Sequence, residues 1–156
     1  MTDAFADPYE PPTAALQRTD VPPGRIYTAH QVLAGTVLGS VFAGLWMIAA
    51  NYEAFGEHDR RGQVLRWGGL AAALYLILAL WLPQQAATGL SLGAAFGMYQ
   101  AAQQLFRERI EAHLRTGGLK QSYGRVFLVS LLSVAVLAAV FIGVLFVAPE
   151  SWVNSL

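Results

Sequence analysis

Three histidines, His30, His58 and His113, are the side chains of this sequence best suited to metal or proton chemistry. Carboxylates stand beside one of them, because Glu57 and Asp59 flank His58. Imidazole nitrogen and carboxylate oxygen are common ligands of transition metals. The spacing is neither His-x-x-x-His nor Glu-x-x-His, however, and we therefore predict no metal site.

Nucleophilic and cofactor chemistry find no better candidates. Cysteine is absent, which excludes disulfides and thiolate metal sites. The serines and threonines of the apolar stretches have no base close by in sequence, and we expect their hydroxyls to bond to the preceding helical turn or to a neighbouring helix. The glycines lie in apolar helical stretches and lack the context of a phosphate-binding loop. We predict a protein that is not an enzyme, with no catalytic residue and no cofactor.

The composition indicates which solvent the chain faces. Hydrophobic residues make up 55% and charged residues 13% of the 156 residues, whereas soluble domains average about 25% charged. The stretch Val126–Val147 contains no charge, and as a helix it covers a hydrocarbon core of about 30 Å. The formal net charge is zero and no strongly basic segment occurs, so we predict no nucleic-acid partner. The chain is predicted to be an all-α membrane protein in contact with the lipid bilayer.

Four spans are predicted, at about 29–50, 64–82, 86–106 and 126–148, within a membrane domain over 27–156. The third segment is the least apolar, and its alternative is a buried or interfacial helix that does not cross. Its helix is expected to continue as an amphipathic extension over about 104–116, with Phe106, Ile110 and Leu114 on one stripe. The predicted fold is a four-span transmembrane helical bundle.

Glycine rows mark the surfaces where these helices are expected to meet. Small residues at helical i, i+4 spacing let two backbones approach closely in lipid. The predicted helix-packing residues, within the bundle or between copies, are Gly35, Gly39, Gly44, Gly89, Gly93 and Gly97.

Residues 1–26 are acidic and rich in proline, and we predict a disordered tail because proline removes backbone donors and little in the segment can pack. A solvated leader is one interpretation of this composition. The other is a docking peptide formed by Pro8, Tyr9, Pro11 and Pro12.

Basic residues in short loops favour the cytoplasm. With four spans, eight Lys and Arg residues fall on the side of the two central connections and only Arg18 and Arg25 on the other side. This distribution predicts that both termini lie outside. If the third segment does not cross, the tail becomes cytoplasmic instead.

The chain resembles a group of small, uncharacterised bacterial inner-membrane proteins. Members carry an Asn-Pro-Tyr-x-x-Pro-like motif in a short N-terminal tail, which Asp-Pro-Tyr-Glu-Pro-Pro at 7–12 matches except for its first residue. Tyr27 and Gln31 then precede a Gly-rich first span that closes on Asn51, and a polar helix leads to paired glycines at 117–118. The resemblance implies a multi-pass protein of the bacterial inner membrane and implies no established activity.

The function predicted from these features is association rather than catalysis. The chain would act through helix contacts, either with its own copies as a homo-oligomer or as an accessory subunit of an unidentified membrane protein. The alternative is a small oligomeric channel or transporter, with a polar path along Tyr99, Gln100, Gln103 and Gln104.

Overall fold

The computed structural model describes residues 24–147, and every regular element within them is helical. The elements are α1 (Ala29–Gly39), α2 (Val41–Ala54), α3 (His58–Gln63), a π-helical segment (Val64–Gly68), α4 (Gly69–Trp81), α5 (Gln84–Arg115) and α6 (Tyr123–Val147). The segments from α3 to α4 follow one another without a break and form one long helix over 58–81. The all-α prediction is confirmed for this part of the chain, where the one β-type feature is an isolated parallel bridge between Ile26 and Lys120.

The first two helices form an antiparallel hairpin that reverses at Ser40. The backbone there has φ 83° and ψ 172°, a combination that lies outside the helical region. At the open end of the hairpin, the Tyr27 amide donates to Asn51 Oδ1 at 2.7 Å and Asn51 Nδ2 donates to the Tyr27 carbonyl at 2.8 Å. These two residues are 24 positions apart, so a continuous helix would separate them by about 36 Å.

The prediction of one helix over 29–50 is therefore wrong. With 11 and 14 residues, the two arms are only about 16 and 21 Å long, and neither crosses a hydrocarbon core of about 30 Å. Because both arms are apolar, the hydrophobicity of the sequence does not change at the reversal and therefore does not indicate it. The contacts that hold the arms together are close: a Cβ on Gly35 would overlap Met47, and a Cβ on Gly44 would overlap the Thr36 hydroxyl.

Helix α6 lies parallel to α1. The Ile26–Lys120 bridge joins the segments that precede the two helices. Further along, Ser130 Oγ donates to the Gly35 carbonyl at 3.3 Å, and the Ser40 and Ser133 hydroxyls lie 3.3 Å apart. The order of these contacts shows that α1 and α6 both run from the bridge toward the hairpin tip.

Helix α5 runs antiparallel to α1 on the other side of the hairpin. The His30 and Tyr99 rings meet edge to face with centroids 5.3 Å apart, and the Tyr52 and Phe106 rings do so at 4.7 Å. Arg109 pairs with Glu57 beyond the open end of the hairpin. The hairpin thus lies between α5 and α6.

We call the end of the bundle that contains residues 24–28, 52–66 and 107–125 the basal end, and the opposite end, with the connection at 82–83, the distal end. Helix α6 starts at the basal end and runs toward the distal end. The described chain therefore begins and ends at opposite ends. This differs from the four-span prediction, in which an even number of crossings returned both termini to one side.

The buried core surrounds the hairpin and belongs to the basal half. It is built from aromatic and aliphatic side chains, chiefly Ile26, Tyr27, Val32, Met47, Ile48, Tyr52, Ala102, Phe106, Ile110 and Val126. Two helices, over His58–Ala79 and Tyr123–Gly143, are long and apolar enough to cross a membrane. Only 6% and 11% of those windows are buried within the chain, unlike the core helix of a soluble protein.

The reversal can be tested by a disulfide between Gly24→Cys and Ala54→Cys. A Cβ on Gly24 would lie 3.3 Å from the Ala54 Cβ, close to the range of about 3.5–4.5 Å that a disulfide needs. The natural chain has no cysteine, and Met47 is the one methionine between these positions. After oxidation and cyanogen bromide cleavage, the two fragments that carry the new cysteines should stay linked by the disulfide and should separate when a reductant is added. A continuous helix would hold the thiols about 45 Å apart and give no linked fragments.

Close packing of α1 on α6 makes Gly39 intolerant of a side chain. A Cβ there would overlap the Ser130 backbone, so Gly39→Ala should cost about 1–3 kcal/mol of unfolding free energy and lower the thermal midpoint in detergent. Gly143→Ala is the matched control, since nothing lies within 4 Å of a Cβ at that position of α6. Equal midpoints for both variants would contradict the packing of α1 on α6.

Candidate functional site

Amide side chains fix the open end of the hairpin. Asn51 is fully buried and satisfies the Tyr27 backbone in both directions. Gln31 is also buried, and its Nε2 donates to the Gln121 carbonyl at 2.6 Å. Its Oε1 accepts from the Thr28 amide while the Thr28 hydroxyl accepts from the Gln31 amide, which completes a capping box at the start of α1. Removing one partner of such a buried pair leaves the other polar group unsatisfied, which is costly.

The hydroxyls around the hairpin tip are already bonded. Thr36 Oγ1 donates to the Val32 carbonyl at 2.8 Å, one helical turn back. Ser130 Oγ reaches the Val126 carbonyl at 2.9 Å and the Gly35 carbonyl at 3.3 Å. These contacts are the local and interhelical bonds expected of serine and threonine in apolar helices. No base stands near them as it would beside a nucleophile.

Ser40 is the one residue other than glycine with positive φ in the described chain. Its amide still donates to the Thr36 carbonyl at 2.9 Å, and its carbonyl accepts from the Ala43 amide at 3.1 Å. The side chain does not cap α2, and it turns instead toward Ser133 on α6. Ser40 therefore joins the hairpin tip to α6, and sequence patterns gave no signal for it because serine is not the usual residue at positive φ.

The three histidines occupy unrelated surroundings. His30 meets the Tyr99 ring edge to face, and His58 begins α3 on the exposed surface. His113 is 4% exposed on α5, and within the described residues neither ring nitrogen has a hydrogen-bond partner. No group of three metal-ligating side chains comes together anywhere between residues 24 and 147.

His113 also changes the interpretation of the amphipathic extension. Of the three residues predicted to share one stripe, Phe106 and Ile110 are buried, whereas Leu114 is 40% exposed. The buried third position is His113, which lies against Gly118, where a Cβ would overlap the imidazole. The helical stripe thus follows the i, i+4, i+7 pattern with a polar third member, which a search for apolar residues passes over.

Charged residues of the described chain are confined to the basal end. Glu57 pairs with both Arg109 and Arg60, the Arg60 Nε lying 3.1 Å from Oε2 without hydrogen-bond geometry. Arg61 pairs with Glu53 at 3.1 Å. The Arg109 guanidinium also lies over the Phe55 ring, 5.7 Å from its centroid. Such surface pairs contribute little stability individually, but the two contacts of Arg109 join α5 to the loop before α3.

The six glycines predicted to mediate packing divide into two groups. Gly35, Gly39 and Gly44 lie where a Cβ would overlap a neighbouring element, namely Met47, Ser130 and Thr36. Gly89, Gly93 and Gly97 have nothing within 4 Å of a Cβ. The second row is therefore not a contact face inside the described chain and stays exposed on α5.

The polar path predicted along α5 is not an interior feature either. Gln103 Nε2 donates to the Tyr99 hydroxyl at 3.0 Å on the partly buried side. Gln100 and Gln104 are exposed on the outer surface of the helix. The predicted docking residues Pro8, Tyr9, Pro11 and Pro12, and the predicted disorder of the tail up to residue 23, lie outside the described residues.

The site that the geometry offers is thus a surface: the outer face of α5 with its open glycine row, next to a rigid hairpin. Sequence reasoning found the glycine row but missed the hairpin reversal and the buried His113. Comparisons with protein-family models, with curated proteins and with solved structures found no match.

Proposed function

We propose that this protein is an integral membrane protein with three crossing helices, the long helix over 58–81, α5 and α6, and one hairpin that enters and returns. The support is the exposed apolar surface that only lipid or another protein would cover. Large apolar side chains more than half exposed occur along all three helices and include Leu70, Leu74, Ile77, Trp81, Leu92, Phe96, Leu131, Leu132, Val140 and Phe146. In water such a surface would be an aggregation hazard, whereas in a bilayer it matches the solvent.

The orientation that the fold supports differs from the one predicted from sequence. All nine basic residues of the described chain lie at the basal end, and the stretches 67–106 and 126–147 carry no charge. By the positive-inside rule, the basal end is cytoplasmic. The described chain then begins at residue 24 on the cytoplasmic side, and the C-terminal end of α6 lies outside.

Within that membrane we propose a non-enzymatic role in which the protein associates through the outer face of α5, forming a homo-oligomer in the bacterial inner membrane. One observation carries this proposal: the glycine row at 89, 93 and 97 is open, although such rows allow close helix contact. The same face continues into the exposed amides of Gln100 and Gln104. Because amides are poorly solvated by lipid, a parallel copy of α5 would cover them and supply hydrogen-bond partners.

Orientation can be measured with single cysteines at exposed positions of each end. Gln85→Cys lies at the start of α5 at the distal end, and Glu108→Cys lies at the basal end. In cells with a permeabilised outer membrane, an impermeant maleimide should label Gln85→Cys and should reach Glu108→Cys only after lysis. The reverse pattern would invert the proposed orientation, and equal labelling of both before lysis would contradict a membrane-spanning arrangement.

Association through α5 can be measured with Gly93→Leu. We expect this variant to fold, because open space surrounds the glycine within the chain, but to lose its oligomer on blue-native gels and in chemical crosslinking. Four added carbon atoms would separate the helix backbones at the crossing point and raise the dissociation constant by at least about ten-fold.

Gly143→Leu is the control for this experiment, since it places the same side chain in equally open space on α6. The control should keep the oligomer size of the natural protein. If both variants migrate like the natural protein at the same yield, the glycine row is not an association surface.

A further inference from the structure

Basic side chains at the basal end fall into two groups. Five arginines lie within 4.0 Å of a carboxylate: Arg60, Arg61, Arg107, Arg109 and Arg115. A sixth, Arg66, donates from Nε to the Gly62 carbonyl at 3.2 Å. The remaining cations of the described chain, Arg25, Lys120 and Arg125, are exposed and have no carboxylate partner there. We refer to these three residues as the cationic trio.

The fold brings the trio together from segments that are far apart in sequence. Arg25 and Lys120 lie on the two segments that the parallel bridge joins, where the Ile26 amide donates to the Leu119 carbonyl at 3.2 Å and the Gln121 amide donates to the Ile26 carbonyl at 2.8 Å. Gln121 Nε2 also reaches the Arg25 carbonyl at 3.3 Å. Arg125 follows in the first turn of α6.

Buried residues fix the backbone segments that carry Arg25 and Lys120. The Gln121 carbonyl accepts from the buried Gln31 side chain, and Ile26 is fully buried. Arg25 and Lys120 are therefore fixed at their backbones even though their side chains are exposed. Positive charges that have a fixed backbone and no counter-ion among residues 24–147 attract an external anion at lower entropic cost than charges on a loose loop.

Apolar and amphipathic side chains stand immediately beside these charges. Leu119 is 59% exposed and Tyr123 is 61% exposed, and Phe127, one turn further along α6, is 60% exposed. A tyrosine between charged and apolar groups is typical of a membrane–water boundary. The surface thus passes over a few residues from cationic to amphipathic to apolar, which is the order of groups in a phospholipid.

We propose that the cationic trio binds the phosphate of an anionic phospholipid in the basal leaflet, while Tyr123 and Phe127 contact its glycerol and acyl regions. This rests on the proposed membrane placement with the basal end at a lipid surface. A free phosphate fits the arrangement less well, because the apolar neighbours would remain uncovered and the three basic side chains are all exposed. Each basic residue near an anionic surface adds to the attraction, and the trio supplies three such residues.

The experiment uses the full chain, purified in detergent and reconstituted into nanodiscs. The probe is phosphatidylglycerol mixed with phosphatidylcholine, and native mass spectrometry of the released protein counts the retained lipids. The test variant combines Arg25→Gln, Lys120→Gln and Arg125→Gln. The control combines Arg60→Gln, Arg107→Gln and Arg115→Gln. It removes the same number of positive charges from the same end, but each of these arginines is paired with a carboxylate.

The natural protein and the control should retain phosphatidylglycerol in preference to phosphatidylcholine, and the test variant should lose that preference by at least about ten-fold. Equal loss in both variants would reduce the effect to net charge and overturn the site. Competition by millimolar inorganic phosphate would assign the anion to solution rather than lipid, and would also overturn the proposal. A natural protein that inserts into nanodiscs without lipid preference refutes the trio alone, whereas one that stays soluble without detergent or nanodisc refutes the membrane proposal itself.

Discussion

The fold depends on satisfying the backbone of a chain that reverses inside an apolar structure. A helix that ends within hydrocarbon exposes amides and carbonyls that lipid cannot bond, so a reversal is tolerated only where protein surrounds it. Here the Ser40 backbone bonds within the hairpin, the tip lies against Ser130 and Ser133 of α6, and the open end is closed by Asn51 on Tyr27. The bonds of the Ser40 backbone are local to the turn, whereas the contacts of the tip and of the open end need a partner from α6 or from the opposite arm.

The same requirement explains where small residues occur. Gly35, Gly39 and Gly44 are the positions at which the two arms and α6 come too close for a side chain. Close approach brings the Gly35 carbonyl within reach of Ser130, so packing and hydrogen bonding are one contact. The glycine row on α5 has i, i+4 spacing as well, but no neighbouring element of the described chain packs against it. Glycine spacing alone therefore does not tell whether a row packs inside the chain or is free to contact another copy.

Much of the architecture follows from the sequence, and the exceptions have physical causes. The long apolar run of α6 and the break at Pro83 define helices by length and hydrophobicity, which are local properties. The hairpin is not local: Ser40 adopts positive φ because α2 packs back on α1, and no propensity of serine announces this. His113 was missed for a related reason, since its burial comes from Gly118 and the chain that follows α5 rather than from its own helix.

Orientation shows how one structural error propagates. Treating 29–50 as a crossing placed Arg25 on the side opposite Arg60 and Arg125, and the basic residues then appeared on both sides. Once the hairpin returns to the side it started from, Arg25 lies beside Lys120 and the charge distribution of the described chain becomes one-sided. The charges are the same in both arrangements, and what differs is how often the chain passes from one end of the bundle to the other. A one-sided distribution is what insertion with short basic connections produces, and the proposed orientation rests on it.

The hairpin fills only half the depth of the bundle, and this leaves the distal half incomplete. Beyond its tip, α4, α5 and α6 have no central element between them, and Tyr75 to Ser91, at 2.9 Å, is the hydrogen bond that joins α4 to α5 there. Helices α4 and α6 carry large apolar side chains that lipid solvates well, but the exposed distal part of α5 is made of glycine, alanine, threonine, serine and glutamine at most positions. Such a surface gains little from lipid and much from a second backbone at close range. Helix α5 thus packs against the hairpin in the basal half, whereas its outer face in the distal half has no neighbour within the described chain. In the proposed oligomer, α5 of a second copy packs against this face.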